Sequence, residues 1–335
     1  MTVAIPVRNG GEYLRRALES LAKQTVEHEL VVCDSGSRDG SPELARSHGA
    51  RVIEIEPEQF GHGATRNLLM REAWGERVAL LTQDAEPADD GWLAELLSGF
   101  ELASDVGIVY GPYTPRPGAS APVRIEIERW FASLSPDGCP QIERLSTSER
   151  ARPAIELMGR RGFFTDANAC IDRAAWESVP FREVSYAEDR VLAIDMLRGG
   201  YSKAFVPDAV VFHSHEYTSA QQFRRCFDEW RGLREVYGWR EPLSPRKVVN
   251  GLRGELGTAH RELTAAKAPS EVRRATLLVL TRHHVLRLAG AALGSRADAL
   301  PAWVRRRLSL EGRGSFRPLD TDRHLHQSHD KEVRT

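Results

Sequence analysis

Four places in the chain set acidic or imidazole groups where chemistry is usually done, and a fifth adds an Arg-Asn turn. The first is Leu80-Leu81-Thr82-Gln83-Asp84-Ala85-Glu86-Pro87, where an apolar run ends in a carboxylate at Asp84. The second is Asp34-Ser35-Gly36-Ser37-Arg38-Asp39-Gly40-Ser41, which puts two carboxylates into a Gly/Ser-rich turn. The third is the acidic pair Glu188-Asp189, which opens the apolar run Val191 to Leu197. His213 and His215 then follow a strand-like stretch that ends at Phe212, and Arg8-Asn9-Gly10-Gly11 forms a turn after Val7. Short apolar runs bounded by turn residues read as buried strands. Ligands of open parallel sheets bind beyond the carboxyl ends of such strands. A carboxylate at Asp84 suits a hard divalent cation, which prefers oxygen ligands and shares them with phosphates. Taken alone, Asp84 also suits a turn or the cap of the helix that follows, and Asp39-Gly40 suits ordinary turn chemistry. Carboxylates repel phosphate, so the set as a whole fits a nucleoside diphosphate bound together with a metal.

The elements that must hold these residues alternate. Strands are expected at Thr2–Val7, Glu29–Cys33, Arg51–Ile55, Arg77–Leu81 and Val106–Pro112, with helices between them. One of these helices starts at Ser41-Pro42-Glu43, where Ser caps and Pro sits in the first turn. Short alternation of this kind predicts a doubly wound α/β layer with a mostly parallel sheet. It fails from Tyr113 to Phe163, where six prolines punctuate the chain, and resumes with Asn168–Ile171, the helices Arg173–Ser178 and Glu188–Arg198, and the strand Lys203–Phe212. Trp130, Phe131, Phe163, Phe164 and Trp176 lie around this irregular part and suit either the core or a stacking platform for an acceptor. Helical spacing returns from Ser219 to Tyr237 and again from Arg246 onward. The expected partition is an α/β layer over 1–240, whose parts 1–112 and 113–240 the family resemblance set out below makes the nucleotide-binding half and the acceptor half of a catalytic domain. A helical extension then covers 241–311, and a polar, mobile tail covers 312–335.

The 335 residues carry a net charge of -1, unevenly spread. Residues 245–335 hold 18 Lys and Arg against 9 Asp and Glu, and the remainder holds 28 against 38. Such a basic tail on an acidic body suits an anionic surface, and equally a solvated helical face. The amphipathic run Ala275–Leu293 and the triplet Arg305-Arg306-Arg307 fit either contact with the inner face of a membrane or packing as a subdomain. The cysteines Cys33, Cys139, Cys170 and Cys226 show no C-x-x-C pairing, which fits reduced thiols in cytoplasm. With the first strand starting at Thr2, no leader is expected, and no apolar run reaches the ~18 residues of a spanning helix. G-x-G-x-x-G, G-x-x-x-x-G-K-[ST] and G-x-S-x-G are all missing, which argues against a dinucleotide enzyme, a P-loop ATPase and the usual α/β-hydrolase. No nucleic-acid partner is expected.

Seven stretches in order resemble the family 2 glycosyltransferases, and within them the bacterial rhamnosyltransferase branch. They are Ile5-Pro6-Val7-Arg8-Asn9, Val31–Ser41, Phe60–Asn67, Leu81–Ala85, Asn168–Trp176, Ala187-Glu188-Asp189 and Val211–Thr218. Together they span roughly residues 2 to 240. The resemblance implies the GT-A fold and inverting transfer of a sugar, rhamnose or another hexose, from a nucleotide-sugar to a glycan or lipid-linked acceptor. It implies Asp189 as general base with Glu188 in support, and Asp34 on the base or ribose of the nucleotide. Arg66 would sit near the diphosphate, with Pro6, Arg8, Asp39 and Gln83 completing the nucleotide site. Asp84 would be the metal-binding member of an Asp-x-Asp element in which Thr82 replaces the first Asp. A histidine would complete the shell around Mn²⁺ or Mg²⁺, and only one of His213 and His215 is expected to reach it. The competing readings are a sugar nucleotidyltransferase, which calls for a Gly-rich loop with Arg after the first strand, and a catalytically silent glycan-binding protein of the same fold.

Overall fold

The computed structural model describes residues 1–310 and 312, apart from 158 and 243. The tail expected at 312–335 therefore lies outside the described residues except at Gly312. Among the described residues the chain divides into two compact units: residues 1–117 with 127–214, and residues 118–126 with 215–310.

The first unit is built on eleven strands. These are β1 (Thr2–Val7), β2 (Glu29–Asp34), β3 (Arg51–Glu54), β4 (Arg77–Leu81), β5 (Glu86–Pro87) and β6 (Val106–Tyr110), then β7 (Tyr113–Thr114), β8 (Gln141–Glu143), β9 (Asn168–Asp172), β10 (Ser202–Phe205) and β11 (Val211–Phe212). Eight of them form one sheet in the order β3-β2-β1-β4-β9-β6-β10-β8. It is parallel except at β9, which runs against both β4 and β6, and at the edge strand β8. The other three make a small sheet in the order β5-β11-β7.

The strands at the centre of the large sheet are apolar on both sides because both sides are covered. Successive residues serve opposite faces. Val3, Ile5 and Val7 pack with Leu14, Leu18 and Trp92, whereas Ala4, Val31 and Leu80 pack with Leu69, Phe164 and Leu192. The first face is covered by helices α1 (Gly11–Leu21), α2 (Ser41–Ser47) and α4 (Trp92–Ser98). The second is covered by α3 (His62–Glu72), α7 (Arg173–Ser178) and α8 (Glu188–Gly199), together with the later part of α5 (Ala121–Leu134). A short helix, α6 (Thr147–Arg150), lies in the proline-rich stretch. Phe131, Phe164 and Trp176 are core residues, while Trp130 keeps an exposed edge. The single strand expected over Lys203–Phe212 is two strands in two sheets. Pro207 stands between them, and a residue without an N–H cannot continue a ladder.

The second unit holds α9 (Ser219–Tyr237), α10 (Pro245–Ala265), α11 (Ser270–Gly294) and α12 (Ala302–Leu308). Helix α9 starts at a capping box, in which Thr218 Oγ1 accepts from the Gln221 amide and the Gln221 side chain accepts from the Thr218 amide. It ends at Gly238, which takes the left-handed conformation with φ 68°. Helix α11 lies close against α9 because Gly290 has no side chain: a Cβ there would meet the Phe223 carbonyl oxygen at 2.7 Å. Helices α9 and α11 belong to the same compact unit. No described helix is long and apolar enough to cross a membrane.

Candidate functional site

The order of the large sheet reverses at β1, with β2 and β3 on one side and β4 on the other. In doubly wound sheets the crevice at such a point binds ligands. Pairing of β1 with β4 covers only Thr2–Ala4, while pairing with β2 runs on to Val7. The ends of β1 and β4 therefore part. Pro6 lies beyond the shared ladder, where its missing N–H leaves no bond unmade. The gap is bridged by the Gln83 side chain, whose Oε1 accepts from the Arg8 amide at 2.7 Å and whose Nε2 donates to the Arg8 carbonyl at 3.2 Å. Gln83 thus has its amide engaged with backbone, while the Arg8 side chain stands exposed.

Asp34 ends β2 beside this crevice and is 2% exposed. Its Oδ1 accepts from the amides of Gly36 (3.0 Å) and Ser37 (2.9 Å). Its Oδ2 is buried and has no hydrogen-bond partner among the described residues. Asp39 is used differently. Its Oδ2 accepts from the Gly11 amide at 2.9 Å, and its Oδ1 accepts from the Ser41 amide and hydroxyl at 3.1 and 2.6 Å. Burial works against its charge, but these hydrogen bonds outweigh it and hold the carboxyl below its ordinary range. They also fix Gly11 at φ +52°, where glycine is favoured. Asp39 therefore ties the first turn to the second.

The small sheet explains how Asp84 meets residues 129 positions away. Antiparallel pairing sets Phe212 opposite Glu86 and Val211 opposite Pro87. The residues leaving β11 therefore come back over those entering β5. His213 Nδ1 lies 3.5 Å from Asp84 Oδ1 and 3.3 Å from the Asp84 carbonyl. Its amide donates to the Thr114 carbonyl at 3.0 Å. Arg116, which sequence reasoning passed over, donates to the Asp84 and Ser214 carbonyls and stacks over the Tyr13 ring at 4.2 Å. Asp84, His213 and His215 each offer one ligand atom, and the three atoms lie within 4.8 Å of one another. Residues two apart in extended chain share a side, so neither histidine is excluded from this point. One carboxylate and two imidazoles fit a divalent first-row cation better than an all-oxygen ion.

A second cluster lies on the same edge of the sheet. β9 runs against β4 with Asn168 opposite Leu81, so residues just before β9 emerge where residues just after β4 do. There Asp166, 7% exposed, pairs with Arg66 Nε. Arg66 comes from α3, is 4% exposed, and places Nη1 3.1 Å from Glu188 Oε1. The guanidinium thus faces two carboxylates. Glu188 and Asp189 open α8 behind Ala187, which is held at φ 66° in the left-handed region. Asp189 is half-buried, and its Oδ1 accepts from the Arg190 amide at 2.7 Å. Burial first, then the Asp166 and Glu188 carboxylates, push Asp189 well above the ordinary range for an aspartate. Burial and Glu188 likewise raise Asp166, to about 7, against the pull of Arg66. For Glu188, burial is outweighed by Arg66 and His62, and its carboxyl is lowered.

Tyr113 joins the two clusters. Its ring meets the His213 ring edge-on at 5.0 Å, and its hydroxyl shares a hydrogen bond with Thr165 Oγ1, next to Asp166. Neither Tyr113 nor Asp166 falls in an expected catalytic motif. The signal available in the sequence was position alone: Asp166 lies two residues before the β9 strand.

The profile of Glycosyl transferase family 2 matches residues 2–161. The chain is 30% identical over 236 residues to the O-antigen chain rhamnosyltransferase RfbN of Salmonella typhimurium, covering 68% of this chain and 70% of that protein. It is also 30% identical over 233 residues to the O-antigen chain rhamnosyltransferase WbaN of Salmonella anatum, again covering 68% and 70%. Among solved structures, a mannosyltransferase of Pyrobaculum calidifontis in complex with GDP-Man and Mn²⁺ is similar over 89% of this chain and 85% of that one. The TM-score is 0.56 at 20% identity, a likeness of fold. Coverage and identity against the two rhamnosyltransferases, together with the family match and the doubly wound layer, lead to one conclusion: the chain belongs to glycosyl transferase family 2 and is a glycosyltransferase of the GT-A fold.

Proposed function

We propose that this enzyme transfers a sugar, rhamnose or another hexose, with inversion from a nucleotide-sugar to a growing glycan or a lipid-linked saccharide. One observation carries the reading. The Asp84–His213 group and the Asp166–Arg66–Glu188–Asp189 cluster lie at the same end of the sheet, beyond the paired Leu81 and Asn168, and Tyr113 links them. The nucleotide lies at the β1/β4 crevice. There Asp34 Oδ2, a buried acceptor lacking a donor, takes a hydrogen bond from base or ribose. Arg8 lies beside it, Pro6 and Gln83 shape the gap, and Asp39 holds the turns. Arg66 serves the acid cluster rather than the diphosphate.

Asp84, with His213 and His215, would hold a divalent cation, Mn²⁺ in preference to Mg²⁺, which when bound would offset the negative charge that collects on the leaving diphosphate. Asp189 takes the proton of the acceptor hydroxyl as its oxygen bonds to the anomeric carbon. The bond from that carbon to the phosphate oxygen breaks, and its electron pair leaves with the diphosphate. A raised proton affinity suits this role, since a base works best when its pKa lies near the working pH. Asp189→Asn should lower transfer by about 10²–10⁴-fold, while UDP, GDP or dTDP still raises the melting temperature in the presence of Mn²⁺. Undiminished transfer by the variant excludes Asp189 as the base. The same thermal-shift screen names the donor class through the base that stabilises most.

A second reading concerns where the acceptor is met. On α11, residues Arg274, Leu278, Arg282 and Val285 recur at helical spacing on one exposed side. Leu278 is 71% exposed and Val285 53%. Exposed aliphatics flanked by arginines suit the headgroup zone of an anionic bilayer, the arginine heads staying at the charged surface. This supports peripheral attachment at the cytoplasmic face of a membrane, near a lipid-linked acceptor.

A further inference from the structure

We propose that Asp166, which belongs to none of the family's expected site residues, is a positioning residue for the reaction: it holds Arg66 against Glu188 and sets the charge that Asp189 works against. The inference rests on the reading of Asp189 as base.

The placement is rigid. Asp166 sits two residues before β9, whose Asn168 pairs with Leu81 in the middle of the sheet. Its neighbour Thr165 is tied to Tyr113, and Thr165 Oγ1 accepts from the Ala167 amide at 3.3 Å. The Asp166 carboxylate meets Arg66, whose Nη1 in turn reaches the Glu188 carboxylate at 3.1 Å. Arg66 is gripped from a third direction, by its own donation to the His62 carbonyl at 3.1 Å. Loss of the Asp166 charge leaves a buried guanidinium with one acidic partner and frees the start of α8 on one side.

The charges around Asp189 are few. Glu188 and Arg190 come from α8, Asp166 from the approach to β9, and Arg66 and His62 from α3. Arg190 lies over the Phe163 ring at 5.7 Å. After burial, Asp166 is the largest influence raising Asp189, ahead of Glu188, and Arg190 opposes both. Three carboxylates against one buried Arg66 cannot all be ionised cheaply, so the cluster keeps a proton. Asp166 makes Asp189 a stronger base, and delays its ionisation to higher pH.

Asp166→Asn keeps the shape and removes the charge. Its test is the pH profile of kcat/KM, read as nucleoside diphosphate released from the nucleotide-sugar whose base the thermal-shift screen selects. The acidic limb should move down by one pH unit or more, with the plateau reduced several-fold, whereas Asp166→Glu should leave the limb in place. A uniform loss at every pH with the limb unmoved overturns the proposal.

A second measurement needs no substrate. A carboxyl raised to about 7 in the folded state contributes stability that is full below its unfolded value near ~4 and is lost as pH rises through 7. The urea midpoint of the native protein should therefore carry a downward component between pH 5 and pH 7.5, and Asp166→Asn should flatten it. An unchanged slope overturns the proposal even if the variant is inactive. If Asp189→Asn keeps full transfer, the base assignment fails, and the stability slope still reports on Asp166.

Discussion

At the scale of single residues, the sequence names the carboxylates but not what each of them meets in space. Asp34 and Asp39 look alike in the sequence, five residues apart in one turn. Asp34 keeps a buried oxygen with no hydrogen-bond partner among the described residues, while Asp39 spends both oxygens on Gly11 and Ser41. No pattern of residue types distinguishes a ligand acceptor from a turn clamp, since that depends on which amides arrive in space. Arg66 teaches the same lesson: a helix arginine was legible, but its partner Asp166 lies 100 positions away. Asp84 has the clearest single-residue consequence. Asp84→Ala should weaken Mn²⁺-assisted binding of the nucleoside diphosphate by about tenfold or more, as substitutions in metal sites commonly do, with metal-free binding unaltered. Titration calorimetry with and without the cation measures both, and equal affinities would remove Asp84 from the shell.

At the scale of elements, β1, β2, β4 and β6 could be read because they are mostly buried and bounded by turn residues. The antiparallel insertion of β9 between β4 and β6 could not, because periodicity carries no strand direction. The small sheet was also hidden, its strands being two residues long, too short for any period to show. Helix α8 carries the acid pair, and its start is strained. Ala187 holds φ 66° and ψ 31°, a conformation that costs a residue with a Cβ roughly 1–2 kcal/mol. Ala187→Gly should raise the unfolding free energy by about 1 kcal/mol, and Ala187→Val should lower it by about 1–3 kcal/mol. Urea unfolding measures both signs. If glycine is no better than alanine there, the backbone is not strained at this position. A drop in transfer by the stabler glycine variant would further tie the rigid entry of α8 to the aim of Asp189.

At the scale of the molecule, the charge asymmetry seen in composition has a structural address. The basic excess lies in the helical unit, and the exposed side of α11 adds aliphatics to it. The protein should co-sediment with vesicles containing phosphatidylglycerol and not with phosphatidylcholine alone, and less so as salt rises toward 0.5 M. Leu278→Glu combined with Arg282→Glu should reduce binding at least fivefold. Binding indifferent to lipid charge, or to these substitutions, would leave α11 as a plain solvent face. Composition could announce a basic segment but not its function, because the same residues serve as a hydrated surface or a lipid contact according to which side of the helix the fold leaves open.

The pairing of Phe212 with Glu86 has a consequence for how the empty and loaded enzymes breathe. Strands of two residues offer few ladder amides, so exchange at this corner should be faster than at the centre of the large sheet. A cation gripping Asp84 and His213 would staple the corner shut by mass action. Deuterium uptake over residues 84–87 and 211–215 should then slow together when Mn²⁺ is added, and the strands at the centre of the large sheet should not notice.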